Sequence, residues 1–96
     1  MSDLLKNKVI IVTGASSGIG RAIAIEAARH QAKAVIVSDI TKEPREGGPT
    51  TTHEIDQLGV TAQFVKADVS RREEVDALVD AAAEFGGVDV MVANAG

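Results

Sequence analysis

The chain has 96 residues, 45% hydrophobic and 25% charged, with a formal net charge of -4 at pH 7, so it holds one domain at most and has the composition of an ordinary globular protein. The acidic balance argues against wholesale binding to nucleic acid or to an anionic membrane, both of which need a basic surface. The sequence has no Cys, which removes disulfides and thiolate metal sites, and no apolar run reaches the roughly 20 residues that span a bilayer.

No long apolar run lies within Met1 to Lys6, so no signal peptide is expected, and the Cys-free composition suits the cytoplasm. The first apolar run, Val9 to Val12, is continuous and β-branched, as in a strand buried on both faces. It leads into Thr13-Gly14-Ala15-Ser16-Ser17-Gly18-Ile19-Gly20. A helical pattern follows, with Ile19, Ile23 and Ala27 on one face and Ala22, Ala24 and Ala28 beside them. A helix this slim can approach a sheet closely. The second continuous run, Ala34 to Val37, predicts another buried strand, ending in Ser38-Asp39. Thr41 to Thr50 contains Pro44, Gly47, Gly48 and Pro49 and reads as an exposed loop. Thr51 and Glu54 have capping-box spacing for a short helix over Thr52 to Leu58, which Gly59 can end. A third run, Phe64 to Ala67, is broken by Lys66 and ends in Asp68-Val69-Ser70. Ser70 and Glu73 form a second capping box. Val75, Leu78, Val79, Ala82 and Phe85 then make one apolar stripe, stopped by Gly86-Gly87. The last run, Val88 to Ala93, carries Asp89 near its start and leads into Asn94-Ala95-Gly96.

The order is β-α-β-α-β-α-β. Such alternation implies an α/β fold, a parallel sheet with crossover helices. Right-handed crossovers and doubly wound topology predict strand order 3-2-1-4, an incomplete Rossmann-type fold across residues 1–96. Val88, Val90, Met91 and Val92 would leave one edge apolar, and Met91 is expected in the core. An exposed apolar edge invites pairing, so the chain is expected to be part of a longer enzyme. His30 and His53 read as surface residues, with no partners at metal-ligand spacing.

In an open parallel sheet, ligands bind beyond the carboxyl ends of the strands. The glycine turn sits at the first of these ends. Gly14 would make the turn, Gly18 would admit a pyrophosphate, and Gly20 would let helix and strand pack closely. The helix start adds free N–H groups and the positive end of its dipole, and Ser16 and Ser17 add hydroxyls. No Lys-Ser or Lys-Thr follows Gly20, which argues against a P-loop. A purely structural turn is the plain alternative. Asp39 lies about 20 residues beyond the turn, where an acid accepts hydrogen bonds from an adenosine ribose. Its charge would repel a 2′-phosphate, so NAD is favoured over NADP, and Ser17 agrees. Lys42 and Arg45 would soften that preference. Asp68 would either meet an adenine amino group, with Val69 at the ring edge, or complement the charge of the next helix start.

Together these residues resemble the short-chain dehydrogenase/reductase family, over roughly Lys8 to Gly96. The resemblance rests on the spacing of Gly14, Gly18 and Gly20, on Asp39, on Asp68-Val69 and on Asn94-Ala95-Gly96. Ala93 departs from it, since the family often has a second Asn there. The resemblance implies that Gly14, Ser16, Ser17, Gly18 and Ile19 surround the pyrophosphate and neighbouring ribose. It implies that Asp39 and Ile40 hold the adenosine ribose, that Asp68 and Val69 hold the adenine, and that Asn94, Ala95 and Gly96 run beside the cofactor. Thr13 would tie the first strand to the fourth. The family moves hydride between a nicotinamide cofactor and a small-molecule alcohol or carbonyl substrate, with an Asn, a Ser and a Tyr-x-x-x-Lys pair. Those groups follow the Asn-Ala-Gly motif, and this sequence has no Tyr. The chain alone is therefore expected to be inactive, the cofactor-binding half of an enzyme that is a homo-oligomer at full length. A dinucleotide-binding module without catalysis, an S-adenosylmethionine-dependent methyltransferase and a structural fragment that binds nothing are the competing readings.

Overall fold

A computed structural model describes residues 3–94. Four strands, β1 (Val9–Thr13), β2 (Ala34–Asp39), β3 (Thr61–Lys66) and β4 (Val90–Val92), alternate with three helices, α1 (Gly18–Arg29), α2 (Thr51–Gln57) and α3 (Arg72–Ala83). The strands form one sheet in the order β3-β2-β1-β4, and every neighbouring pair is parallel. The predicted fold class and strand order hold.

β1 and β2 occupy the middle of the sheet, which is why their sequences are continuously apolar. Alternate side chains along each strand serve opposite faces. Ile10, Val12, Val35 and Val37 pack with Ala24, Ala27 and Ala28 of α1 and Ile55 of α2. Val9, Ile11 and Ile36 pack with Leu78 and Ala82 of α3. The three alanines bring α1 close to the sheet, as the slim apolar face implied. Ile19 does not share that face: it is exposed beside the turn. Val79 is exposed too, so the α3 stripe is narrower than its periodicity suggested.

The outer strands depart from expectation because each has a strand neighbour on one edge only and its residues are half-buried or exposed, which weakens the apolar signal. β3 starts at Thr61, not Phe64, and its register runs from Ala34↔Thr61 to Asp39↔Lys66. β4 is short, and Asp89 precedes it. Val9 donates its N–H to Asp89 Oδ2 at 2.8 Å, and Asp89 N donates to Val9 O at 3.0 Å. Met91 is 41% exposed and is not core, since β4 has only β1 as a neighbour.

Neither predicted capping box forms, and each N-cap lies one residue from the expected one. Thr50 caps α2, its hydroxyl accepting from His53 N at 3.2 Å. Thr51 instead turns inward, where it is buried, donates to Ala15 O at 2.7 Å and accepts from Arg21 Nη1 at 3.2 Å. At α3 the N-cap is Arg71, and Ser70 bonds Asp68. The carboxylate that reaches back is Glu74, not Glu73, and it accepts from Asp68 N at 2.9 Å. Thr51→Val removes a buried hydroxyl while keeping its shape. Stability is expected to fall by about 1–2 kcal/mol, the range for a lost buried hydrogen bond. A urea midpoint equal to that of the parent would show that the hydroxyl contributes nothing.

Candidate functional site

The carboxyl ends of the strands open into a cleft of about 730 Å³, lined from four places in the sequence. Gly14, Ser17, Gly18 and Ile19 come from the glycine turn; Asp39, Ile40, Thr41 and Arg45 follow β2; Ala67, Asp68, Val69 and Ser70 follow β3; Asn94 follows β4. That volume is within the usual range for a small-molecule or cofactor site. Ala95 and Gly96, also predicted for the site, lie outside the described residues.

The turn has the backbone its sequence requires. Gly14 (φ 64°) and Gly18 (φ 58°) are left-handed, a region open to glycine at little cost. Gly20 is needed for closeness. A Cβ there would lie 2.1 Å from Gly14 O and 2.6 Å from Asn94 Nδ2. At Gly18 only Arg45 Nη2 is near, at 3.7 Å, so that glycine leaves open space over the start of α1. A helix leaves its first N–H groups without intrahelical partners, and the first turn of α1 holds no acidic side chain of its own. Open space and bare backbone suit a phosphate.

Asp39 is folded back on this turn. Its Oδ2 accepts from Ser16 N at 3.0 Å and its Oδ1 from Ile40 N at 2.8 Å. The carboxylate is thereby fixed on the cleft wall, with lone pairs left for a hydroxyl donor. Ile40 beside it is exposed. Ser16 supports the site from behind: it is buried, it does not line the cleft, and its hydroxyl donates to Thr41 O at 2.6 Å. Ser17, the N-cap of α1, accepts from Arg45 N at 2.7 Å and does not cap its own helix.

Asp68 follows β3 at the mouth of the cleft. It lines the cleft and also closes the turn before α3, where Oδ1 accepts from Ser70 N at 3.0 Å and Ser70 Oγ at 2.7 Å. The Ser70 hydroxyl, then the Ser70 N–H, and the nearby Arg71 charge hold its carboxyl below its ordinary range. Thr13 joins β1 to β4 as expected. Its hydroxyl donates to Val92 O at 3.4 Å and accepts from Asn94 N at 3.0 Å, and Asn94 Nδ2 donates to Gly14 O at 3.3 Å. Asn94 is so pinned between the turn and the last strand.

Four strand ends in this order, with this glycine turn, set the comparison with known proteins. The sequence profile described as short chain dehydrogenase matches residues 8–96. The chain belongs to the short chain dehydrogenase family. Within that family it is 45% identical to 3beta-hydroxysteroid dehydrogenase 1 of Eggerthella lenta, a match covering 100% of this chain and 36% of that protein. It is 49% identical to L-rhamnose 1-dehydrogenase (NAD(P)(+)) of Azotobacter vinelandii, over 97% of this chain and 37% of that protein. A crystal structure of hydroxysteroid dehydrogenase from Escherichia coli superposes with a TM-score of 0.83 at 41% identity, covering 96% of this chain and 38% of that one. The chain thus spans little more than a third of the length of the relatives it matches.

Sequence reasoning missed Thr41 and Ala67 of the cleft lining, and it missed Glu46, which bonds the glycine turn. Glu46 accepts from Gly18 N at 3.1 Å. Its own N–H, then that of Gly18, the Ser17 hydroxyl and the Arg21 charge keep its carboxyl below the ordinary range, so it stays ionised into mildly acidic solution. A Pro- and Gly-rich loop signals a turn but not which acid folds back.

Proposed function

We propose that this chain is the cofactor-binding part of an NAD(P)-dependent oxidoreductase that transfers hydride between a nicotinamide cofactor and an alcohol or carbonyl substrate. The observation that carries it is the fixing of Asp39 on Ser16 N of the glycine turn, in one cleft with Gly18, Asp68 and Asn94. Membership of the family and the dehydrogenase relatives support the same reading.

A bound nicotinamide dinucleotide supplies the hydride acceptor or donor. The residues of this chain bind and orient it. Gly14, Ser17, Gly18 and Ile19 would offer the pyrophosphate a bare backbone and the N-terminus of α1, with Ser16 bracing the turn. Asp39 would accept from the adenosine ribose hydroxyls beside Ile40. Asp68 and Val69 would border the adenine. Asn94, continuing into Ala95 and Gly96, would run beside the nicotinamide ribose. The Asp39 carboxylate disfavours a 2′-phosphate by like-charge repulsion, so NAD is preferred over NADP.

Proton transfer and substrate specificity belong to the remainder of the full-length protein, which we expect to be a cytoplasmic homo-oligomer with no nucleic-acid or membrane partner. No helix among the described residues is long and apolar enough to cross a membrane. The test is turnover by the full-length protein of NAD with a panel of alcohols, read by absorbance of the reduced nicotinamide. Reduction with at least one alcohol is expected. A folded protein that binds NADH but oxidises no alcohol with NAD and reduces no carbonyl with NADH would be a binding module instead.

A further inference from the structure

The loop between β2 and α2 is laced to the glycine turn at three consecutive residues. Ser16 Oγ donates to Thr41 O at 2.6 Å, Arg45 N donates to Ser17 Oγ at 2.7 Å, and Gly18 N donates to Glu46 Oε2 at 3.1 Å. Pro44, within the laced stretch, is buried, while Gly47 and Gly48 beyond it are exposed, with left-handed φ of 81° and 83°.

The third bond differs in kind from the other two. It sets a carboxylate on the first N–H of α1, where the helix concentrates partial positive charge. That carboxylate comes from 28 positions along the chain. Glu46 forms no ion pair among the described residues. Neither does Arg45, although its guanidinium lies over the same glycine and lines the cleft. A carboxylate already bonded to the N–H, with an unpaired guanidinium next to it, is an anion position with an internal occupant.

We propose that Glu46 is a latch that occupies the phosphate position at the start of α1 in the cofactor-free protein and gives way to the pyrophosphate of an incoming dinucleotide. This rests on reading the cleft as a dinucleotide site. One N–H cannot serve two anions at full strength, and the two negative charges repel each other. The arriving phosphate takes the Gly18 N–H and gains the Arg45 guanidinium, which has no carboxylate to give up. Gly47 and Gly48 let the chain after Glu46 move without side-chain clashes, since nothing lies within 4 Å of either Cβ position. The latch keeps the α1 donor satisfied in the empty protein, and it makes the cofactor compete for its own site.

The test uses the full-length protein and calorimetric titration with NADH. Glu46→Gln keeps an oxygen acceptor but removes the charge. It is expected to bind NADH about 2- to 5-fold more tightly, the range that one charge at a helix terminus supplies. Glu46→Ala should shift affinity the same way. Glu43→Gln is the control, because Glu43 accepts from Thr41 Oγ1 and does not touch the turn; its affinity should match the parent. Unchanged or weaker binding by Glu46→Gln overturns the latch while leaving the dinucleotide site standing. Equal tightening in Glu43→Gln overturns it too, since net charge alone would then be responsible. A folded parent protein that binds no NADH overturns the cleft reading and the latch together.

Discussion

Gly20→Ala is expected to destabilise the protein by about 3 kcal/mol, the upper part of the range for overpacking, and Gly20→Val by more. The added Cβ would stand 2.1 Å from Gly14 O and 2.7 Å from Gly14 C, both backbone atoms. Gly14 cannot yield easily, because its φ of 64° already lies in the left-handed region and its carbonyl accepts from Asn94 Nδ2. The third obstacle, Asn94 Nδ2 at 2.6 Å, is itself held in place through Asn94 N on Thr13 Oγ1. Relief requires α1 to move away from the end of β1, which opens the cleft floor. With a urea slope of about 1–3 kcal/mol per molar, the unfolding midpoint should fall by about 1 M or more. A Gly20→Ala protein with the parent midpoint would mean that the turn relaxes freely and that close packing here is not required.

The second large effect is expected at Asp39. Asp39→Ala removes the acceptor of Ser16 N and Ile40 N and the charge on the cleft wall. Hydrogen bonds to a charged group are worth about 1.5–3 kcal/mol, so NADH affinity should fall roughly 10- to 100-fold. NADPH affinity should fall less or rise, since the carboxylate that repels the 2′-phosphate is gone. The ratio of the two dissociation constants is the decisive readout, because a merely loosened turn would weaken both cofactors alike. An unchanged ratio would remove Asp39 from ribose recognition and leave it a structural clip on the glycine turn.

The central sheet was legible in the sequence because β1 and β2 are buried on both faces, so every position in each run had to be apolar. Their alternation with helical patterns then set the topology. The outer strands were less legible for the converse reason. β3 is half-buried to exposed along its length, so Thr61 and Gln63 carry no apolar signal, and only pairing with β2 fixes where the strand starts. At α2 two adjacent threonines could each cap the helix, and tertiary structure decides between them: Thr51 is drawn to Ala15 O, which leaves the cap to Thr50. In the site, Gly14, Gly18, Asp39, Asp68 and Asn94 were legible because strand ends in a parallel sheet must converge. Ser16 was placed at the site but not in its role, since its hydroxyl faces the loop. Glu46 was illegible because its bond joins residues 28 positions apart across a loop without periodicity.

The most direct measurement is a calorimetric titration of NADH into the folded full-length protein. Saturable binding of one dinucleotide per chain, weakened in Asp39→Ala, is the expected result. No binding up to millimolar NADH, by a protein with an intact cooperative melt, would contradict the assignment of this cleft to a nicotinamide dinucleotide.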